Sequence, residues 1–380
     1  AAQYWGKQDA ASIEKVIPIA LRTNLLFSGL FTILAGFCPE MLMRIFTNDA
    51  ALVASGSQYL RAVALSYVLC GISQVYLILL KNTGHAAVSS RISSTAVVLN
   101  IILNAILIYG LCGAPALGIR GAAYATVAAR VVELIWAYLE TKKPERVRIL
   151  WNRLFSSAGK ILSEDFWRYT LPVLAASLVW GIAYVLYSVI MGHMGSDAVA
   201  ANSITSIAKS LLSCLIRGVS GGAGVLIGNL LGADELEKAR EYGGRLTHLA
   251  IAIGVVTGGL LMLISPAIVH FAPLTDTAAE YLQYMLLFCG LNLMAQSVNT
   301  TVLDGIFCAG GDAKFDMQGN IGAMWCFSVP LGFLAAFWLK LPVMVVYCIV
   351  NLDEIVKLPA VYLHYKKYVW VRNITRDIEE

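Results

Sequence analysis

Apolar residues run in long stretches along this chain, and short polar segments separate them. A helix needs about 20 apolar residues to cross about 30 Å of hydrocarbon, because it rises 1.5 Å per residue. Ten stretches meet this length, at residues 16–37, 58–80, 92–112, 119–140, 168–192, 203–227, 245–269, 280–303, 317–338 and 342–364. The sequence therefore predicts an all-α polytopic membrane protein with ten spans.

Positive charge alternates between the connections of these spans. Most Lys and Arg residues lie in segments 1–15, 81–91, 141–167, 228–244, 304–316 and 365–380. The connections on the other side hold only Arg44 and Lys340. Cytoplasmic loops carry the excess of Lys and Arg, so we expect both ends of this chain to be cytoplasmic.

Composition excludes the soluble classes: 58% of residues are hydrophobic, 14% are charged and the mean hydropathy is +0.70. A net charge of +4 gives no reason to expect nucleic acid as a partner. The eight cysteines form no C-x-x-C pair, and the five histidines form no catalytic or metal-ligating constellation. We therefore expect a monomer in a lipid bilayer that is not an enzyme and holds no metal or cofactor.

The longest polar connection, residues 141–167, divides the chain. It carries an amphipathic stretch around Trp151, Leu154, Phe155 and Ile161, which predicts an interfacial helix. We thus expect an N-terminal lobe at residues 1–140, a cytoplasmic linker at 141–167, and a C-terminal lobe with a cytoplasmic tail at 168–380.

The two lobes repeat each other at a near-constant offset, which is the signature of an internal duplication. The matching segments are 3–9 with 229–234, 81–86 with 308–313, and 138–143 with 362–367. In the second lobe, two spans precede the segment 229–234. In the first lobe, no span precedes the matching segment 3–9. We infer two pseudo-symmetric helical lobes, related by an axis along the membrane normal, with ten spans present of twelve.

Five segments carry a resemblance to a known family: residues 3–9, 118–126, 191–195, 228–234 and 310–312. They resemble multidrug and toxic compound extrusion (MATE) transporters of a bacterial clostridial type, over the whole chain. The resemblance implies a multi-pass antiporter of the bacterial inner membrane that exports cationic or amphipathic organic compounds by alternating access. Sodium ions or protons would flow in exchange. A flippase of lipid-linked saccharides from the same superfamily is the alternative.

Ionisable residues inside spans are candidates for ion coupling, because burying them costs at least about 2.5 kcal/mol each. Two pairs have helical i,i+3 spacing, Arg130 with Glu133 and Glu354 with Lys357. Asp304 and Asp353 are further carboxylates, and we expect Arg217 or Lys209 to pair with Asp353. Structural neutralisation and ion coupling both remain open for the two pairs. Asp304 is either a solvated gate residue near the cytoplasmic end of its helix or a substitute carboxylate for the coupling ion.

Asn100 and Asn104 lie four residues apart on one helix face. Together with Thr126 they resemble an N-lobe proton or sodium site of the family, although simple interhelical hydrogen bonding is also open. The resemblance implies a second, NorM-type sodium site whose two carboxylate positions hold Trp180 and Ser297 here. We therefore expect coupling in the N-terminal lobe, and we expect it to need a carboxylate from the absent first span or, as the alternative, from Glu133.

A substrate cavity is predicted in the C-terminal lobe. Aromatic faces attract organic cations, and amides supply hydrogen bonds, although lipid-facing packing would also explain single aromatic residues. The candidate lining residues are Trp180, Tyr184, Tyr187, Asn202, Asn292, Gln296 and Asn299.

Overall fold

The computed structural model describes residues 1–45, 49–144, 146–149, 151, 154 and 159–376, and it contains only helices and connecting turns in these ranges. Nine helical segments of this described part are long and apolar enough to cross a membrane. They are Ala10–Phe37, Leu65–Asn82, Ala86–Tyr109, Ile119–Thr141, Ile161–Gly192, Ser196–Gly232, Leu236–Phe271, Asp276–Phe307 and Ala313–Trp338. The all-helical, multi-span fold class is thus confirmed.

The chain divides into two compact units, and the division in the main chain falls between Phe166 and Trp167. Helix α1 (Ala2–Gly6) has residues in both units. The first unit contains six further α-helices: α2 (Ala10–Phe37), α3 (Pro39–Arg44), α4 (Ala50–Val63), α5 (Leu65–Asn82), α6 (Ala86–Tyr109) and α7 (Ile119–Thr141). Helix α5 packs against both α2 and α7, and α6 packs against α7. Tyr76, Leu80 and Ile92 form the centre of one core cluster there.

The predicted span at 58–80 consists of two helices, α4 and α5, which meet at Ala64. Its apolar residues continue through this junction, so hydropathy alone did not locate it. The carbonyl oxygen of Ala64 accepts a hydrogen bond from the Thr32 hydroxyl of α2 at 3.1 Å. The same carbonyl oxygen also accepts from the Tyr67 amide at 3.2 Å, so the contact with α2 is a second hydrogen bond at the junction.

The second unit is built on four long helices: α8 (Lys160–Gly192), α9 (Ser196–Gly232), α10 (Leu236–Phe271) and α11 (Asp276–Thr300). The residues of α8 up to Phe166 are assigned to the first unit. At 37 residues, α9 is about 55 Å long, so it extends beyond the hydrocarbon layer. Helix α11 continues as a π-helix over Thr301–Phe307. Ile216, Leu286 and Leu293 lie fully buried in the core between these helices.

The rest of the second unit is less regular. Helix α12 (Ala313–Asn320) and the five-residue α13 (Val329–Phe333) are joined and followed by π-helical turns. The final elements are α14 (Val343–Val350) and α15 (Asp353–Tyr365).

The tenth predicted span, 342–364, is not one continuous helix. The backbone leaves helical geometry at Asn351, where φ is −98° and ψ is 14°, and α15 starts two residues later. The Asn351 carbonyl accepts a hydrogen bond from the Asn292 side chain at 2.5 Å. A break at membrane depth is tolerated when protein groups satisfy the freed backbone. The polar residues Asn351, Asp353 and Glu354 are the sequence signal of this break.

Most of the predicted interfacial helix in 141–167 lies outside the described residues. Trp151 is described, and its indole nitrogen donates to the Tyr76 hydroxyl at 2.7 Å. Ile161 belongs to α8.

Loops that the sequence pairs between the halves have matching backbone geometry. Gln8 and Asp234 both adopt the left-handed conformation, with φ of 62° and 61°, which is uncommon for non-glycine residues. The amides of His85 and Asp312 each close a turn at 2.8 Å, on the carbonyls of Leu80 and Phe307. Two cation–π contacts also correspond, Lys142 with Tyr138 at 4.5 Å and Lys366 with Tyr362 at 4.4 Å.

Candidate functional site

Two adjoining cavities lie in the second unit, with volumes of about 370 and 420 Å³. Each is within the range of small-molecule sites, which is about 300–1,000 Å³. Both are lined by Trp180, Arg217, Gln296 and Glu354. We call the first the acidic cavity, because Asp304 and Asp316 line it, and the second the aromatic cavity, because Tyr184 and Tyr187 line it.

One wall of the aromatic cavity is an aromatic ladder on α8. Trp180 and Tyr184 lie four residues apart, so they share a helix face, and their rings stack at 5.5 Å with an interplanar angle of 14°. The Arg217 guanidinium of α9 lies 6.0 Å from the Trp180 ring centroid. The prediction that Trp180, Tyr184 and Tyr187 line a cavity agrees with these positions.

The amides predicted to line the cavity have different positions. Gln296 lines both cavities and Asn299 lines the acidic one. Asn202 lines a third, much smaller cavity beside Tyr187. Asn292 is 1% exposed. It works as a brace, accepting from Lys209 Nζ at 3.1 Å and donating to the Asn351 carbonyl at 2.5 Å.

An ion cluster occupies the start of α15. Lys357 Nζ lies 3.1 Å from a Glu354 oxygen and 3.7 Å from an Asp353 oxygen, and all three residues are buried. The Asn299 amide donates to Glu354 at 2.8 Å. The two carboxylates also lie in the first turn of the helix, where the helix dipole favours negative charge.

The expected partner of Asp353 was wrong. Its ion pair comes from Lys357, whereas Lys209 donates to Asn292. The spacing of Asp353 and Lys357 is i,i+4, which places them on one helix face. One lysine thus serves both carboxylates, and the sequence argument had allotted it to Glu354 alone.

Asp304 and Asp316 are carboxylates of the acidic cavity, which the cationic side chains of Arg217 and Lys357 also line. Among the described residues, no Lys, Arg or His nitrogen lies within 4 Å of Asp304 or Asp316. Asp316 accepts a hydrogen bond from Asn320 at 3.1 Å. Asp304 is exposed, lies in the π-helical turn after α11, and lines the cavity. The sequence analysis missed Asp316, because it lies in a segment assigned to a cytoplasmic loop.

The Asn100, Asn104 and Thr126 group in the first unit forms one hydrogen-bonded chain. Asn104 donates to Asn100 at 3.0 Å, and Asn100 donates to Thr126 at 3.3 Å. The Thr126 hydroxyl donates to the Ala122 carbonyl. The Asn104 Oδ1 atom is buried without a hydrogen-bond partner among the described residues. The three side chains therefore lie together as expected, and one acceptor, Asn104 Oδ1, has no hydrogen-bond donor among the described residues.

Arg130 and Glu133 form the predicted ion pair, and Glu133 is 1% exposed. Ser297 lies away from the cavities: it is 1% exposed and donates to the Ala250 carbonyl of α10 at 2.7 Å. Ser297 is thus committed to helix packing. Among the described residues, no three His, Cys, Asp or Glu side chains are grouped as a metal site would require.

Comparisons with known proteins point to one family. The MatE family profile matches residues 1–106 and 172–334. An uncharacterized transporter YisQ of Bacillus subtilis (strain 168) is 20% identical, covering 98% of this chain and 81% of its own length. A probable multidrug resistance protein YoeA of the same organism is 21% identical, covering 99% and 82%.

Solved structures show the same fold. A MOP superfamily transporter from Pyrococcus furiosus, described as having a binding pocket of reverse polarity, superposes with a TM-score of 0.86 at 20% identity. It covers 97% of this chain and 81% of its own. An outward-facing multidrug resistance MATE family transporter gives a TM-score of 0.85 at 19% identity, with the same two coverages.

Proposed function

Since this chain belongs to the MatE family of membrane transporters, we propose that it is a secondary antiporter that exports cationic or amphipathic organic compounds. Sodium ions or protons enter in exchange, and transport proceeds by alternating access in the inner membrane of a bacterium. Members of the family are transporters and not enzymes. The observation that carries the proposal is the pair of adjoining cavities, which combine aromatic faces with Asp304 and Asp316, two carboxylates that have no ion pair among the described residues.

The aromatic ladder suits the organic part of such a substrate. A cation over the face of Trp or Tyr gains about 2 kcal/mol or more once it is desolvated. Apolar ring surface buried against Trp180 and Tyr184 adds the hydrophobic contribution of about 25 cal/mol per Å². A substrate of drug size fits the measured volumes.

Two places in the chain offer groups for the coupling ion. Asp304 and Asp316 supply negative charge inside the acidic cavity. The Asn104 oxygen and a Glu133 oxygen of the first unit are buried acceptors without a partner among the described residues. Sodium prefers hard oxygen ligands, as other hard cations do, and either carboxylate group would serve a proton as well.

The test is efflux from proteoliposomes that hold the purified protein and a fluorescent organic cation such as ethidium. An inward sodium gradient and an inward proton gradient are imposed separately. We expect one of them to drive loss of the dye, and protein-free vesicles give the baseline. Dye retention under both gradients, by protein that is monodisperse and folded, would contradict the proposed antiport.

The flippase alternative is favoured by one observation, the presence of Lys209 and Arg217 beside the aromatic cavity. Cationic side chains are what a lipid-linked saccharide phosphate would need. A fluorescent lipid-linked saccharide in the same vesicles distinguishes the two. Its gradient-independent movement between leaflets, without ethidium efflux, would favour the flippase.

A further inference from the structure

A fourth cavity of the second unit lies between α10 and α15, and its volume is about 500 Å³. It shares no lining residue with the acidic or the aromatic cavity. Residues of α10 within 244–251 form one wall, and residues of α15 within 358–365 form the other. Both helices pack against α11, and Val298 of α11 and Val302 of the π-helix form the floor. We call this cavity the α10–α15 groove.

The lining of the groove is apolar. Val302 and Val361 are 1% and 3% exposed, and none of the described lining residues is Asp, Glu, Lys or Arg. The Thr247 hydroxyl is committed to the Gly243 carbonyl, to which it donates at 2.8 Å. Burial of apolar surface is therefore the main contribution that this groove offers to a ligand. The part of a ligand that fits inside it is hydrocarbon.

The groove opens sideways onto an exposed apolar surface. Ile251 and Tyr362, one from each wall, are 46% and 57% exposed. Leu249 and Leu363 beside them are 46% and 63% exposed. At Gly244 no atom of another helix lies within 4 Å of the position that a Cβ would take, so the absence of a side chain keeps the groove open there. Since α10 is long and apolar enough to cross a membrane, bilayer hydrocarbon borders this opening.

One end of the groove is basic. The start of α10 and the segment after α15 meet there, since the Arg240 guanidinium lies 3.9 Å from the Tyr368 ring centroid. Lys366 Nζ lies 4.4 Å from the ring centroid of Tyr362, which belongs to a groove wall. Lys366 and Lys367 are exposed, and no carboxylate of the described residues lies within 4 Å of either ammonium. A ring face takes up no ammonium hydrogen in a conventional hydrogen bond, so Lys366 keeps its donors for an anion.

The dimensions of the groove match part of one acyl chain. Its walls run from 244 to 251 and from 358 to 365, which is about 10 Å at 1.5 Å per residue. The hydrocarbon layer of a bilayer is about 30 Å thick, so the groove covers about two-thirds of one leaflet. An acyl chain that starts at the basic end therefore runs along the groove and continues into the bilayer, and its phosphate stays on the side of Lys366.

We propose that the α10–α15 groove binds one acyl chain of an anionic phospholipid, whose phosphate lies beside Lys366. Basic side chains at the end of membrane helices attract anionic lipids. In phosphatidylcholine the quaternary ammonium offsets the phosphate charge, whereas in phosphatidylglycerol the charge is available to Lys366. This inference goes beyond the proposed export function, and it holds whether or not the protein exports organic cations.

The test is photocrosslinking of the purified protein in detergent with phosphatidylglycerol that carries a diazirine on one acyl chain. Unlabelled phosphatidylglycerol or phosphatidylcholine is added as competitor, and mass spectrometry of peptides locates the adducts. We expect adducts to concentrate at 244–251 and 358–365, and phosphatidylglycerol to compete at least about fivefold better than phosphatidylcholine. Equal competition by the two lipids would overturn the proposal without any variant. So would equal labelling of the apolar surface around Ile101 of α6, which is 61% exposed.

Variants separate the acyl chain from the headgroup. Gly244→Leu fills the groove and is expected to reduce its adducts to the level at α6, whereas Gly259→Leu, at another open position of α10 outside the groove, is expected to leave them unchanged. Lys366→Gln is expected to lower the preference for phosphatidylglycerol to less than about twofold. Lys142→Gln is its matched control, because Lys142 makes the corresponding contact with Tyr138 in the first unit at 4.5 Å. Undiminished adducts in folded Gly244→Leu protein, or the full lipid preference in Lys366→Gln protein, would overturn the assignment.

Discussion

Lys357 is the residue on which the ion cluster of α15 depends. It is 5% exposed and contacts Glu354, Asp353 and the Asn320 side chain. A buried ion pair is weak evidence for net stability, yet removal of one partner typically costs about 3–5 kcal/mol. We therefore expect a substitution that keeps a hydrogen-bond acceptor beside Lys357 to destabilise the protein less than one that removes the acceptor.

We expect Glu354→Ala to lower the folded yield and the unfolding temperature more than Glu354→Gln does. Gln keeps an oxygen that can accept from Asn299 or Lys357, whereas Ala leaves both donors buried without it. Thermal unfolding in detergent measures the difference. Glu235→Ala is the control, because Glu235 belongs to an exposed pair with Lys238. Equal losses for both Glu354 variants would contradict the pairing.

Close packing requires a glycine at position 310, three residues after the π-helix Thr301–Phe307. A Cβ atom there would lie 1.9 Å from the Trp370 carbonyl oxygen, and Trp370 is fully buried. We expect Gly310→Ala to lower the unfolding temperature, since forced overpacking typically costs about 1–3 kcal/mol. Gly319→Ala is the matched control, because open space surrounds that position. Identical unfolding temperatures for the two variants would show that Trp370 does not pack against Gly310.

At the scale of elements, the break between α14 and α15 is held by the Asn292 brace. We expect Asn292→Ala to increase hydrogen exchange of the amides at 351–355, because the Asn351 carbonyl loses its buried donor. An unsatisfied buried group costs about 1–3 kcal/mol. Asn202→Ala serves as the control, since Asn202 borders only the small cavity. Unchanged exchange at 351–355 would mean that other contacts hold the break.

Elements with long apolar runs were predictable, and their interruptions were not. Hydropathy is averaged over about 20 residues. The two-residue gap between α14 and α15 was therefore not detected, and one span was predicted at 342–364. The π-helical turn that contains Asp304 has no signature in spacing, because it adds one residue to a turn without changing composition. The gap places Asp353 at the aromatic cavity, and the π-helical turn places Asp304 at the acidic cavity. The positions of these carboxylates therefore depend more on local hydrogen bonding than on hydrophobic periodicity.

At the scale of the molecule, the sequence predicted the charged candidates better than their partners. Asp353, Glu354 and Lys357 were chosen because charge is costly in a membrane, and they are indeed buried together. The role of Asp316 required the fold, since residues on separate helices contribute to one cavity. The partner of Asp353 was within the sequence, at i,i+4 spacing on the same helix, but that lysine had been assigned to Glu354 alone. The placement of ion coupling in the first or second unit stays a prediction.

Coupling can be assigned by comparing one variant from each unit with a neutral control. Asn104→Ala removes the buried oxygen of the first unit, Asp304→Asn removes a carboxylate from the acidic cavity, and Ser297→Ala changes a side chain committed to α10. We expect Asn104→Ala to reduce ion-driven dye efflux more than Ser297→Ala does.

Asp304→Asn should reduce the same efflux by about tenfold or more, equivalent to about 1.4 kcal/mol, because an ion or a cationic group there loses its counter-charge. The measurement is the initial rate of efflux from vesicles at increasing sodium or proton gradient. If the gradient dependence disappears only in Asp304→Asn, the coupling ion binds in the second unit, where it competes directly with the positive end of the substrate. If it disappears only in Asn104→Ala, the ion acts from the first unit and must drive release through a change of conformation. Full gradient dependence in both variants would exclude both sites, because each proposal requires its own oxygen ligand.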